Sequence, residues 1–192
     1  MTEFTVVVPV KGTPDAKSRL GGELQAELAE ALALDTVSAA LAAAPVLVVT
    51  SRHAAAGFER LGARVVLDPG GGLQAAITAG LSAVQGAVGV LLGDLPSLAP
   101  EELIAALEAA GRHPLAFVPD AEGTGTAMVT MLGRAETAFG SGSRAAHAAL
   151  GYVELELPLS SGLRRDVDTV EQLLALPVER LGPRTARLVA RL

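Results

Sequence analysis

Apolar runs without polar alternation recur along this chain, separated by stretches whose apolar residues fall at helical spacing. Residues 4–9 (Phe-Thr-Val-Val-Val-Pro) make the first run and read as a strand. Leu24, Leu28, Ala31, Leu34, Val37 and Leu41 then recur at three- and four-residue intervals, which predicts an amphipathic helix stopped by Pro45. Residues 46–50 form a second strand, continuous enough in Val and Leu to be covered on both faces. A short helix around 54–61, a third strand at 64–68, a glycine loop at 69–72 and a helix from 73 to about 85 follow. The fourth strand, 88–92, runs into Gly93-Asp94-Leu95-Pro96. Pro100-Glu101-Glu102 opens the next helix, and 115–119 is a fifth strand.

Beyond residue 119 the pattern changes. Segments 126–132 and 152–157 read as strands among glycine-rich loops, with a helix at 143–150 between them. Thr169 caps a further helix and Pro183 begins a last one. No internal repeat or linker interrupts the chain. The expectation is a single Rossmann-like α/β domain over 1–192, with a mostly parallel sheet, a mixed extension after it, and helices on both faces.

Composition narrows the function. Of the 192 residues 50% are hydrophobic and only 3% aromatic, so the core is built from Ala, Leu and Val. A net charge of -6 argues against a non-specific nucleic-acid binder. The absence of cysteine removes disulfides, thiolate metal sites and cysteine nucleophiles. Met1-Thr2-Glu3 lacks the basic start of a signal peptide, and no apolar run approaches the roughly 18 residues of a membrane span. The chain therefore reads as cytoplasmic, without a membrane partner.

The candidate chemistry lies at the ends of strands. The first strand empties into residues 10–20, a loop that carries Lys11, Lys17 and Arg19 together with Gly12 and Pro14. Loops at the carboxyl edge of a sheet present amides and ammonium groups to phosphates, but a solvated first loop is an equal reading, and no G-x-x-x-x-G-K-[ST] occurs. Asp94 ends the fourth strand, where a turn-capping role competes with a functional one. In Arg164-Arg165-Asp166-Val167-Asp168-Thr169 the two carboxylates share a face if the segment is extended. Like charges so placed call for a cation, and Mg²⁺ takes a few carboxylates together with substrate phosphates. The competing reading has Asp168 or Thr169 as a helix cap. Residues 120–126 could wrap amides around an anion or form a plain hairpin turn. Ser143 lies where an N-cap or a phosphate would lie. His53, His113 and His147 stand in no catalytic spacing and read as surface or packing residues. No Ser-His-Asp order or nucleophile elbow occurs.

Basic loops, a carboxylate cluster and no evident general base suit nucleotidyl transfer to a phosphate. A phosphate monoester is already an anion near neutral pH, because its second pKa is about 6. The protein then has to align two polyanions and neutralise charge.

In this setting the chain resembles the 2-phospho-L-lactate / phosphoenolpyruvate guanylyltransferases of coenzyme F-420 biosynthesis, within the MobA-like nucleotidyltransferase fold. The resemblance rests on Pro9-Val10-Lys11 with Ala16-Lys17-Ser18-Arg19-Leu20, on Gly93-Asp94-Leu95-Pro96, and on Arg165-Asp166-Val167-Asp168-Thr169. Gly123-Thr124-Gly125-Thr126 and residues 139–143 support it. It implies a nucleotidyltransferase that uses GTP, a phosphorylated carboxylic acid and Mg²⁺. Asp94, Asp166 and Asp168 would hold metal, with Asp94 and Lys17 the catalytic pair. Val10, Lys11, Lys17, Arg19, Gly72 and Gln74 would bind the nucleotide, and Thr126, Gly140 and Ser143 the acceptor. Many relatives have Asn at the position of Gln74, and some have Asn at that of Ala127. Other nucleotidyltransferases of the fold, a glycosyltransferase of similar topology and a non-catalytic nucleotide-binding module are the alternatives; the late Asp-x-Asp and the complete acidic trio weigh against the last two.

Overall fold

Valine-rich segments pair in parallel at the centre of the sheet, because each is apolar on both sides and needs helices over both. The computed structural model describes residues 2–10 and 22–191. The strands are β1 (Phe4–Pro9), β2 (Val46–Thr50), β3 (Arg64–Leu67), β4 (Ala87–Leu91), β5 (Leu115–Pro119), β6 (Thr126–Met131) and β7 (Val153–Glu154), in the order β3-β2-β1-β4-β6-β5-β7. Strand β1 is parallel to β2 and β4, with Val7 opposite Leu47 on one side and Val90 on the other. Strand β6 runs antiparallel between β4 and β5, and β7 lies parallel to β5. The mostly parallel sheet with a mixed extension is thus present.

The helices are α1 (Gly22–Leu41), α2 (Arg52–Leu61), α3 (Leu73–Ser82), α4 (Pro100–Ala110), α5 (Ser143–Ala149), α6 (Val170–Leu174) and α7 (Pro183–Val189). Alternate residues of each central strand point to opposite faces. Val6, Val8 and Val48 pack against Ala33 and Val37 of α1, Phe58 of α2 and Leu103 of α4. Val7, Leu47, Val49 and Val90 face the other way, onto Ala76 and Ile77 of α3. Each such fully buried Val or Leu contributes about 1.5–3 kcal/mol. Helix α3 sits low on the sheet at Gly80, where a β-carbon would collide with Val7 and lie 2.9 Å from Val49 Cγ2. A third cluster joins Leu28 and Leu32 of α1 to Val167, Leu173 and Leu181 near the C-terminus. Among the described residues, no helix is long and apolar enough to cross a membrane.

Two elements are shorter than the periodicity predicts by more than one residue. Helix α3 stops at Ser82 rather than near 85, because Val84 turns into the core and Gly86 takes a positive φ of 79°. The strand expected over 152–157 pairs only at Val153 and Glu154. It is an edge strand, which Leu155 extends by one bond to the Phe117 carbonyl before Pro158.

Candidate functional site at the carboxyl edge of the sheet

Strand order reverses between β1 and β4, and the crevice at such a switch point is where open α/β sheets bind ligands. Val10 closes its β1 side, its N–H donating to the Val49 carbonyl at 2.8 Å. Opposite it is Gly93, where a β-carbon would come within 3.1 Å of Val10 Cγ2, so glycine permits the close approach. Asp94 follows, half-buried. Its loop is fixed from three directions. Leu95 N–H donates to Thr36 Oγ1 of α1 at 3.0 Å, Gly182 N–H to the Pro96 carbonyl at 2.8 Å, and Val167 N–H to the Asp94 carbonyl at 3.0 Å.

The last of these bonds brings the distant acidic segment to Asp94. Val167 is buried in the C-terminal cluster, half-buried Asp166 and exposed Asp168 flank it, and the segment is irregular rather than a strand. The capping role belongs to Thr169: its hydroxyl accepts from Gln172 N–H at 3.2 Å, and the Gln172 amide oxygen accepts from the N–H groups of Asp168 and Thr169. Of the two flanking arginines, Arg164 is turned inward. Its guanidinium donates to the carbonyls of Pro119, Asp120 and Leu157, so it ties β5 to this segment and is not available to a substrate.

The antiparallel register sets Leu91 opposite Met128, and Leu92 N–H donates to the Ala127 carbonyl at 3.0 Å. Thr126 therefore starts β6 at the edge where β4 ends. The preceding loop is both of the things its sequence allows: a hairpin turn, and a set of amides closed around an anion. The anion is its own Asp120, whose carboxylate accepts from the N–H groups of Gly123, Thr124 and Gly125 at 2.6, 3.0 and 2.7 Å. A β-carbon at Gly125 would collide with that carboxylate.

Helix α5 docks beside this loop, Arg144 N–H donating to the Thr124 carbonyl at 3.2 Å. Its N-cap is Gly142, at φ 70°, and Ser143 is the first helical residue. The Ser143 amide donates to the Gly140 carbonyl at 3.1 Å, which leaves the Ser143 hydroxyl as the group it can offer. Gly140 is exposed, with φ 136°. His147, from the same helix, lies 3.0 Å from Thr126 Oγ1 through Nδ1 and accepts Ala138 N–H at Nε2, also at 3.0 Å. The structure thus brings Thr126, Gly140 and Ser143 together, with His147 between them.

Gly70, Gly71 and Gly72 all have positive φ, and Gly72 is the N-cap of α3, which packs against Val7 of β1 and Val90 of β4. Gln74 projects from the first turn. Its side-chain NH₂ donates to the carbonyl and hydroxyl of Thr137 at 2.6 and 2.7 Å, which leaves its oxygen for any nucleoside contact. Lys11, Lys17 and Arg19 lie outside the described residues.

Among the described residues, no three His, Asp or Glu side chains form a ready metal cage. The donor set nevertheless suits Mg²⁺, which takes one or two carboxylates and completes its shell with water and phosphate oxygens. Burial, and then the charges of Asp120, Asp168 and Glu122, push the Asp166 carboxyl up to about 6. A carboxylate that holds a proton this tightly is one that a cation would relieve.

Sequence reasoning passes over three residues that matter here. Residues 120–126 read as amides that could enclose an anion or as a hairpin turn, but not with Asp120 itself as that anion, although a Gly-x-Gly three residues later is the signal for it. His147 has no acidic neighbour in sequence, and its partners come from 9 and 21 residues away. Arg164 reads as a charge beside the acids, whereas its partners lie 7 to 45 residues back.

Residues 18–174 match the MobA-like NTP transferase domain. The chain is 47% identical to the phosphoenolpyruvate guanylyltransferase of Streptomyces coelicolor, the match covering 99% of this chain and 97% of that protein. It is also 47% identical to the phosphoenolpyruvate guanylyltransferase of Geodermatophilus obscurus, over 97% of this chain and 94% of the other. A solved structure from Desulfovibrio desulfuricans G20, described as a nucleotide-diphospho-sugar transferase, shares the fold at a TM-score of 0.65 and 17% identity, covering 100% of this chain and 95% of that one.

Proposed function

The chain belongs to the MobA-like NTP transferase family, alongside the phosphoenolpyruvate guanylyltransferases it matches over nearly its whole length, and from that premise we propose that it transfers GMP from GTP to phosphoenolpyruvate with release of pyrophosphate. The observation that carries this reading is the 47% identity spanning 99% of the chain. The resemblance in its motifs adds the setting, coenzyme F-420 biosynthesis, while the sequence's length and its lack of a basic start or apolar span support one catalytic domain acting in the cytoplasm. The resemblance also supplies the closest competing acceptor, 2-phospho-L-lactate.

The proposed reaction needs no general base, because the acceptor phosphate is already ionised near neutral pH. One of its oxygens attacks the α-phosphorus of GTP, and the bond to pyrophosphate breaks. Lys11, Lys17 and Arg19 face the triphosphate in this reading, while Val10, Gly72 and Gln74 lie along the nucleoside. Thr126 and Ser143 offer hydroxyls to the acceptor phosphate, and Gly140 lets the loop pass close to it. Asp94, Asp166 and Asp168 would hold Mg²⁺, which supplies charge neutralisation for the two polyanions and the leaving group. Bringing those anions together costs several kcal/mol by Coulomb's law, roughly, so the cations of the first loop work in the same direction.

The test is pyrophosphate release by the purified chain with Mg²⁺, each of the four nucleoside triphosphates, and either phosphoenolpyruvate or 2-phospho-L-lactate. Release with GTP and phosphoenolpyruvate at the highest kcat/KM supports the reading. Preference for 2-phospho-L-lactate, or for another nucleotide, would replace that half of it.

A further inference from the structure

His147 bridges two pieces of chain that the proposed function places on the acceptor, and its hydrogen bonds settle where its proton lies. Nε2 accepts the Ala138 N–H at 3.0 Å, and a backbone amide can only donate, so Nε2 carries a lone pair. The ring is fully buried, edge-on to Phe139 and Tyr152 and tilted against Phe117. Burial opposes a second proton and lowers the imidazole pKa from its usual value, although the Ser143 backbone one helical turn back pulls the other way. A neutral ring with a free Nε2 has its proton on Nδ1, 3.0 Å from Thr126 Oγ1. The Thr126 oxygen therefore accepts from the ring, and its own hydrogen must find another acceptor.

That hydrogen belongs to a nearly buried residue at the start of β6, the edge where β4 delivers Asp94. We infer that His147 is a positioning residue: it fixes the Thr126 hydroxyl as a donor toward an oxyanion of the acceptor phosphate. Through Ala138 it also holds the approach to Gly140 in register with Thr126. This rests on the proposed function, which gives Thr126 to the acceptor. It adds the reason that a hydroxyl here donates rather than accepts, and it gives the one fully buried histidine among the described residues a role in recognition without a role in proton transfer.

The experiment is a two-residue cycle with both substrates titrated. Thr126→Val removes the hydroxyl at constant shape. His147→Met keeps a weak acceptor, the thioether sulfur, for Ala138 N–H and has no hydrogen to donate to Thr126. Each single variant is expected to raise the KM for phosphoenolpyruvate roughly tenfold or more and to leave the KM for GTP near its original value. The double variant should be no worse than Thr126→Val alone, because His147 acts through that hydroxyl. A merely structural histidine would add its full effect in the double variant and would change both KM values. Nitrogen-15 spectra of the imidazole in the folded protein give a readout independent of turnover, and the proton is expected on Nδ1. A proton on Nε2, a fully additive double variant, or an unchanged acceptor KM in His147→Met beside a raised one in Thr126→Val would overturn the inference while leaving the proposed function standing. An unchanged acceptor KM in Thr126→Val would remove Thr126 from the acceptor subsite, and the inference would fall with that reading.

Discussion

Asp94 shows how one residue draws its role from distant backbone. Its loop is fixed by α1, by the chain before α7 and by Val167, so the backbone that carries the carboxylate is held at the strand end, with the residue half-buried. Asp94→Asn is expected to cut kcat by roughly a hundredfold or more, the scale of a lost electrostatic contact in a transition state, with little change in melting temperature. Near-normal turnover at saturating Mg²⁺ would remove it from the chemistry. Position alone makes Asp94 legible in the sequence, since a charge that ends an apolar strand stands out. His147 is illegible there because its partners become neighbours only after β6 and α5 have packed. It also predicts a pH dependence of stability. Its folded pKa lies below the usual 6.5, so on acidification the unfolded chain takes up that proton first. The stabilisation is present above about pH 6.5 and is lost as pH falls below that value. Denaturant titrations at pH 7.5 and 5.5 should show a smaller difference for His147→Asn than for the original protein; an equal difference would mean that this ring is not responsible.

At the scale of elements, the strands and helices that a period of two or of three to four residues can mark are where the sequence places them, and β2 and β5 match to the residue. What periodicity does not mark is how the C-terminal third attaches. Asp35 of α1 is buried, and it accepts from the N–H groups of Arg184 and Thr185 at 3.0 and 2.8 Å and from Arg184 Nη1 at 3.1 Å. It caps α7 from about 150 residues away along the chain, and a β-carbon at Gly182 would collide with it. Asp35→Ala removes those bonds and leaves two amides at the start of α7 without their acceptor. A loss of about 2–4 kcal/mol in equilibrium unfolding is expected. A loss under about 0.5 kcal/mol would mean that α7 is held by its apolar contacts alone.

Across the whole molecule, the sheet order turns one chain into two sides of a crevice. The glycine loop follows β3 and leads into α3, whose Gln74 reaches Thr137, while Thr126, α5 and the Asp120 loop belong to the antiparallel extension. Asp94 and the 166–168 segment meet between them. The parallel half is legible because βαβ units announce themselves in apolar runs. The extension is less so: its edge strand β7 has two residues, its loops are set by Asp120 and Arg164, and neither residue shows a period. The central claim is that the nucleotide and the acceptor occupy opposite sides of this crevice. Titrating GTP and phosphoenolpyruvate separately against Ser143→Ala and Lys17→Ala tests it most directly. Ser143→Ala should raise the KM for phosphoenolpyruvate roughly ten- to a hundredfold, the worth of one charge-assisted hydrogen bond, and spare that for GTP. Lys17→Ala should weaken the GTP side instead. If Ser143→Ala damaged the use of GTP and left the acceptor untouched, the two sides would be assigned the wrong way round.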